Sequence, residues 1–138
     1  TEELAHTSDM DNIAQNQYSY LENKQWLATI SHQIADICRR LHQHHFAHND
    51  FNWRNILVDL ESKSPQVYLI DCPVGKKWIW PFLAYRMVKD LACLDKKAKI
   101  YLSKTQRLAF YKDYAQCKKL TITHKKQIHK ILLFFSKR

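Results

Sequence analysis

The chain has 138 residues, with 22 Lys and Arg against 13 Asp and Glu, a formal charge of +9, and 46% hydrophobic residues. This length and balance fit one domain or part of one, with enough apolar material for a core. One glycine and three prolines exclude collagen-like and proline-rich chains, and a single glycine cannot build a phosphate-cradling P-loop or a dinucleotide-binding turn.

The longest apolar run covers residues 131–135, far short of the roughly 20 residues of a bilayer span. Thr1-Glu2-Glu3-Leu4-Ala5 lacks a basic stretch followed by an apolar one, so no signal peptide is visible. Cys38, Cys72, Cys93 and Cys117 form no closely spaced pair, which favours reduced thiols over a disulfide framework. The positive charge suits an anionic partner (nucleic acid, phosphates or an anionic membrane surface) or simply a solvated basic face. No segment reads as a base-reading helix or a stacking sheet, so nucleic acid is not expected.

In chain order, residues 1–22 are polar and read as a linker or irregular lead-in, with one helical turn at 10–14. Residues 24–45 are helical: Leu27, Ile30, Ile34, Ile37 and Leu41 recur at spacings of three and four, with Asn23 as N-cap. Residues 44–54 have no period and read as a loop. Ile56-Leu57-Val58 and Val67-Tyr68-Leu69-Ile70 predict a β-hairpin turning through 59–66. Residues 71–82 are irregular. The remainder is helical. Leu83, Met87, Leu91 and Leu94 form one stripe. Ser103 and Gln106 form a capping box before an inner face of Leu108, Tyr111 and Ala115. Thr123 caps a last helix that carries Ile128, Ile131, Leu132 and Phe135 on one side and its lysines on the other. The fold class is α+β, mainly α, with one small hairpin.

The chemistry concentrates in His48-Asn49-Asp50-Phe51-Asn52-Trp53-Arg54-Asn55 and in Leu69-Ile70-Asp71. Asn55 immediately precedes the first hairpin strand and Asp71 immediately follows the second, so an antiparallel pairing brings both to one end. Asp50 lies in the loop entering that end. Two carboxylates and an amide oxygen at one hairpin mouth suit Mg²⁺, a hard cation that takes few protein ligands beside substrate phosphates. His-x-Asp-x-x-x-x-Asn, strand, turn, strand, Asp is the order of a phosphoryl-transfer catalytic loop.

With Leu41-His42 closing the preceding helix, these residues resemble the protein-kinase-like fold and, within it, the Kdo/WaaP lipopolysaccharide kinase family. Residues 86–92 and 103–114 are similar to that family's C-terminal helices. The resemblance implies that residues 23–138 are a C-terminal lobe, with the N-terminal lobe absent from this chain and its activity incomplete. It implies ATP and Mg²⁺ as cofactors and a lipopolysaccharide-core or other sugar hydroxyl as acceptor. Asp50 would be the catalytic base and Asn55 and Asp71 the metal and nucleotide ligands. His48 would tie the loop to the strand before Asp71, Asn52 or Arg54 would face the transferred phosphate, and Asp90 would anchor the loop from the next helix. Asn52, where protein kinases often carry Lys, favours a small-molecule or sugar acceptor, and Cys72-Pro73 replaces the glycine hinge that follows the metal-binding Asp. The implied place is cytoplasmic, at the inner face of a bacterial inner membrane. Aminoglycoside- and choline-type kinases share the same core, and a non-catalytic, pseudokinase-like module with a basic surface is the rival from another class. His42, His44, His45 and His48 lack a completing carboxylate or cysteine and read as a histidine-rich helix end rather than a zinc site. Cys72 reads as buried rather than reactive. Residues 76–82, mixing lysines with Trp78, Trp80 and Phe82, suit either a membrane interface or a loop with its tryptophans packed inward.

Overall fold

A computed structural model describes residues 7–61, 64–70, 76–77, 79 and 81–136. The elements are β1 (Thr7–Asp9), α1 (Met10–Asn16), α2 (Ser19–Glu22), α3 (Lys24–Gln43), β2 (Phe46–Ala47), a 3₁₀ turn (Trp53–Asn55), β3 (Ile56–Asp59), β4 (Gln66–Leu69), β5 (Lys76–Lys77), α4 (Phe82–Tyr101), α5 (Lys104–Ala115) and α6 (Ile122–Leu133).

The expected hairpin is present: β3 and β4 pair antiparallel, with Ile56 opposite Leu69 and Asp59 opposite Gln66. Its strands alternate in burial, with Ile56 and Val58 turned to the core, as the two-residue period of a half-buried strand requires. β1 adds a third strand on the other side of β3, with Thr7 opposite Asp59 and Asp9 opposite Leu57. A second, two-stranded pairing joins β2 to β5, with Ala47 opposite Lys76.

That third strand corrects the reading of residues 1–22 as a lead-in. Asp9 caps α1 by accepting from the Asn12 N–H at 2.7 Å, and Met10, Ile13, Ala14 and Leu21 are buried in the main core. Elements of three, seven and four residues are too short to display a period, so their few apolar residues looked scattered.

α3 begins as expected, with Asn23 accepting from the Trp26 N–H at 3.1 Å. Its buried stripe is Leu27, Ile30, Ile34, Ala35, Cys38 and His42, so the second half turns by one position from the expected Ile37 and Leu41. A straight helix of 3.6 residues per turn drifts in this direction, and the polar partners of His42 reward it. α4 carries Leu83, Leu91 and Leu94 inward together with Asp90, while Met87 is only half-buried. α5 has the Ser103–Gln106 capping box, but it buries Tyr111 and Tyr114 and leaves the expected Leu108 at 37% exposed. α6 is capped by Thr121 rather than Thr123 and buries no residue fully; Ile128, Ile131 and Phe135 pack partly against the core, and Leu132 is exposed.

Candidate active site

α3 ends by winding down through His44, and His45 takes a left-handed backbone at φ 66°. β2 follows, and then Asn49 turns again with φ 69°. Asparagine tolerates this region better than most residues, because its short polar side chain bonds locally. These two turns fold residues 48–55 back across the end of the β3–β4 hairpin.

Four buried polar side chains hold the loop: His42, His48, Asn55 and Asp90. Asp90, fully buried on α4, accepts through Oδ2 from the His48 N–H at 2.9 Å and through Oδ1 from the Asn49 N–H at 3.0 Å. The same Oδ2 lies 2.9 Å from His42 Nε2, and His42 Nδ1 lies 2.6 Å from the Tyr114 hydroxyl. Both Asp90 oxygens already accept from backbone N–H groups, so His42 Nε2 is assigned as the N–H that donates to Oδ2, which leaves Nδ1 to accept from the Tyr114 hydroxyl. Burial pushes the Tyr114 phenol well above its ordinary value, so the hydroxyl keeps its proton. A buried carboxylate is tolerable only when its oxygens are satisfied, and three donors reach this one.

The His48 ring binds the loop and the hairpin end instead. Its Nδ1 accepts from the Asp50 N–H at 3.2 Å, which leaves Nε2–H to donate to the Ile70 carbonyl, also at 3.2 Å. Its ring rests on buried Phe51 at 5.2 Å. The chain just after Asp50 is pinned by Trp53, whose indole N–H donates to the Leu94 carbonyl at 3.1 Å and whose ring stacks on Tyr101. His48 thus ties the loop to Ile70, the residue before Asp71.

The Asp50 carboxylate, partly exposed, is surrounded by donors. Asn52 Nδ2 donates to Oδ1, Asn55 Nδ2 donates to Oδ2 at 3.1 Å, and the Arg54 guanidinium lies 3.7 Å from Oδ2. Asn55 Nδ2 also donates to the Asp50 carbonyl at 2.8 Å. With both neighbours acceptors, the amide nitrogen must face Asp50, and the Asn55 side-chain oxygen is its free end for another group. The Asn55 backbone carbonyl accepts from the Ile70 N–H at 2.9 Å, so Asn55 and the chain leading into Asp71 are locked together.

The structure therefore gathers His48, Asp50, Asn52, Asn55 and Asp90. Asp71 lies outside the described residues, as do Cys72, Trp78 and Trp80. Sequence reasoning missed the structural parts of His42 and Tyr114. His42 carried a faint signal, since Cys38 and His42 continue the Ile34 face at four-residue spacing; Tyr114, 72 residues away, carried none. Among the described residues no group of three or more His, Cys, Asp or Glu could hold a metal by itself, so a cation here would rely on amide oxygen and substrate phosphates beside carboxylate. Asn55 fits that donor set. Burial, reinforced by Asp90, raises the Cys38 and Cys93 thiols above their ordinary value, which disfavours the reactive thiolate. A cavity of about 660 Å³ opens elsewhere, between α3, α4, α5 and α6, lined chiefly by apolar side chains such as Ile30, Leu94, Leu108 and Ile131.

A mainly helical body, a small antiparallel sheet and a buried aspartate holding a His-x-Asp loop are consistent with a kinase-like lobe. A profile of the Lipopolysaccharide kinase (Kdo/WaaP) family matches residues 1–114, and the chain belongs to that family. Among solved structures, "WaaP in complex with acyl carrier protein" shares its fold with a TM-score of 0.78 at 17% identity over 97% of this chain. The chain spans 56% of the length of that WaaP chain. No match was found among curated proteins.

Proposed function

We propose that this chain is the catalytic-loop, C-terminal lobe of an ATP- and Mg²⁺-dependent kinase that phosphorylates a sugar hydroxyl of the lipopolysaccharide core. Family membership supports the reaction class, and the observation that carries the site is the commitment of the Asn55 amide nitrogen to Asp50. In this reading Asp50 orients the acceptor hydroxyl and takes its proton as the bond to phosphorus forms. Asn52 and Asn55 fix the two carboxylate oxygens, so the base is already positioned when substrate arrives. Arg54, 67% exposed, is long enough to leave Asp50 and place its charge against the transferred phosphoryl group. The Asn55 side-chain oxygen and Asp71 would hold Mg²⁺. Bound there, the ion would neutralise charge on the nucleotide phosphates. His48 and Asp90 touch no substrate; they position the loop through its backbone.

The test is Asp50→Asn in the full-length protein, assayed with radiolabelled ATP and lipopolysaccharide core. Loss of the base should lower turnover about 10² to 10⁴-fold while Mg·ATP binding persists. Near-normal turnover would overturn the reading. Activity of the parent protein on aminoglycosides or choline, and not on the core sugar, would move it to the small-molecule kinases.

A further inference from the structure

The positive charge is strongly segregated. Residues 72–89 and 114–138 together hold 11 of the 22 Lys and Arg and none of the 13 Asp and Glu, a balance of +11; the rest of the chain, with 11 against 13, stands at −2. Distant in sequence, the two segments meet among their described residues. The first turn of α4 meets the end of α6, where the Tyr85 and Phe134 rings lie 5.5 Å apart.

Large apolar side chains are exposed at the same place. Ile79 is 71% exposed, Phe82 60%, Tyr85 53% and Leu133 41%. Single exposed hydrophobes are ordinary, but a cluster drawn from two segments that carry cations and no acids is not. The patch also adjoins the candidate site. Arg86 lies 5.7 Å over the Tyr85 ring and reaches Asn49 Oδ1 at 3.4 Å, one residue from Asp50.

We propose that this surface, centred on Ile79, Phe82 and Tyr85 and continued along α6 by Lys130 and Lys126, one and two turns before Phe134, docks on an anionic lipid bilayer and so presents Asp50 to an acceptor held there. The proposal rests on the kinase reading, whose acceptor is a lipid-linked sugar. Aromatic and aliphatic side chains beside lysines are the chemistry of the headgroup boundary: the rings enter the interface and the ammonium groups pair with anionic lipid. Among the described residues no helix is long and apolar enough to cross a bilayer, so docking here is lateral contact by a patch. A purely polar acidic partner would leave Ile79 and Phe82 unsatisfied.

The experiment is co-sedimentation of the full-length protein with vesicles of phosphatidylcholine alone or mixed with phosphatidylglycerol. Binding should require phosphatidylglycerol and weaken with salt. Lys126→Glu with Lys130→Glu should lower partitioning roughly five-fold or more for each lysine lost. Phe82→Ser should lower it further at unchanged melting temperature, since Phe82 is exposed. Asp50→Asn should bind vesicles like the parent, so a failed kinase assay and a failed docking surface remain distinguishable. Equal binding to both vesicles, or binding indifferent to both the lysine and the Phe82 variants, would overturn the proposal. So would self-association that Phe82→Ser abolishes in a protein that ignores vesicles, which would make the patch an interface between copies.

Discussion

Around Asp90 every polar direction is taken, whereas the space enclosed by α3, α4, α5 and α6 is loosely filled. The first region packs His42, His48 and Asp90 with Cys38, Phe51 and Tyr114, and the hydrogen bonds of Asp90 close inside the protein. The second has a helix with no fully buried residue, a cavity of about 660 Å³ and a basic outer surface. The tight region is the one that fixes the Asp50 loop, as the role proposed for Asp50 would require.

The largest expected effect breaks the tight region at its centre. Asp90→Ala leaves His42 and the His48 N–H buried, and the Asn49 N–H partly buried, without their acceptor. Removing one partner of such a buried network costs about 3–5 kcal/mol. A urea midpoint shift should show it, and amide exchange at residues 48 and 49 should lose protection. A shift no larger than that of an exposed substitution would mean that Asp90 does not hold the loop.

Paired core truncations sharpen the contrast. Ile56→Ala, at a fully buried strand position, should cost about 2–5 kcal/mol by the usual transfer and cavity terms. Ile131→Ala removes a partly buried side chain that already faces a cavity, so about 1 kcal/mol is expected. Equal losses in urea unfolding would show that the α5–α6 region is as well packed as the sheet.

Alkaline titration separates the two regions through one tyrosine each. Tyr114 serves His42, and Tyr111 donates to Gln127 of α6 at 2.5 Å. Burial raises both phenols, Tyr111 to about 12 and Tyr114 well above its ordinary value. Above pH of about 10 the unfolded chain loses these protons first, so the folded state binds more protons and stability falls as pH rises. Each phenol contributes a slope of about 1.4 kcal/mol per pH unit. The Tyr111 part should end near its folded value of about 12, while the Tyr114 part continues. Comparing urea midpoints against pH for Tyr111→Phe, Tyr114→Phe and the parent isolates each share; slopes unchanged by either substitution would contradict the burial of these hydroxyls.

Legibility in the sequence follows the same division. The β3–β4 hairpin, the start of α3 and the α5 cap are set by neighbours within a few residues, and alternation, Asn23 and Ser103 announce them. His48, Asp50, Asn52 and Asn55 lie within eight residues, so a single loop gathers them and their spacing was readable in the sequence. β1, α1 and α2 were not readable, since short elements gain stability from tertiary contacts rather than from their own pattern. The His42–Tyr114 pair joins α3 to α5 across 72 residues, and no local signal reports such a contact. Leu108 misled because a helix beside a cavity need not bury its most apolar position.

The smallest effect concerns which threonine starts α6. Both Thr121 and Thr123 precede an apolar pattern, and Thr123 lies nearer the residues that pack. The structure starts the helix two residues earlier. Thr121 Oγ1 accepts from the His124 N–H at 3.2 Å, while His124 Nδ1 accepts from the Thr121 N–H at 3.1 Å. A histidine thus completes the reciprocal cap in the place where Glu or Gln is usual, which is why the motif was hard to see. Thr121→Ala should cost about 1 kcal/mol, a typical cap loss, and Thr123→Ala less than about 0.5 kcal/mol, as for an exposed helical position. Because α6 packs loosely, its first turn should also fray independently, so amide exchange at residues 122–125 should rise in Thr121→Ala while residues 48 and 49 stay protected. Greater destabilisation by Thr123→Ala would return the helix start to the later threonine.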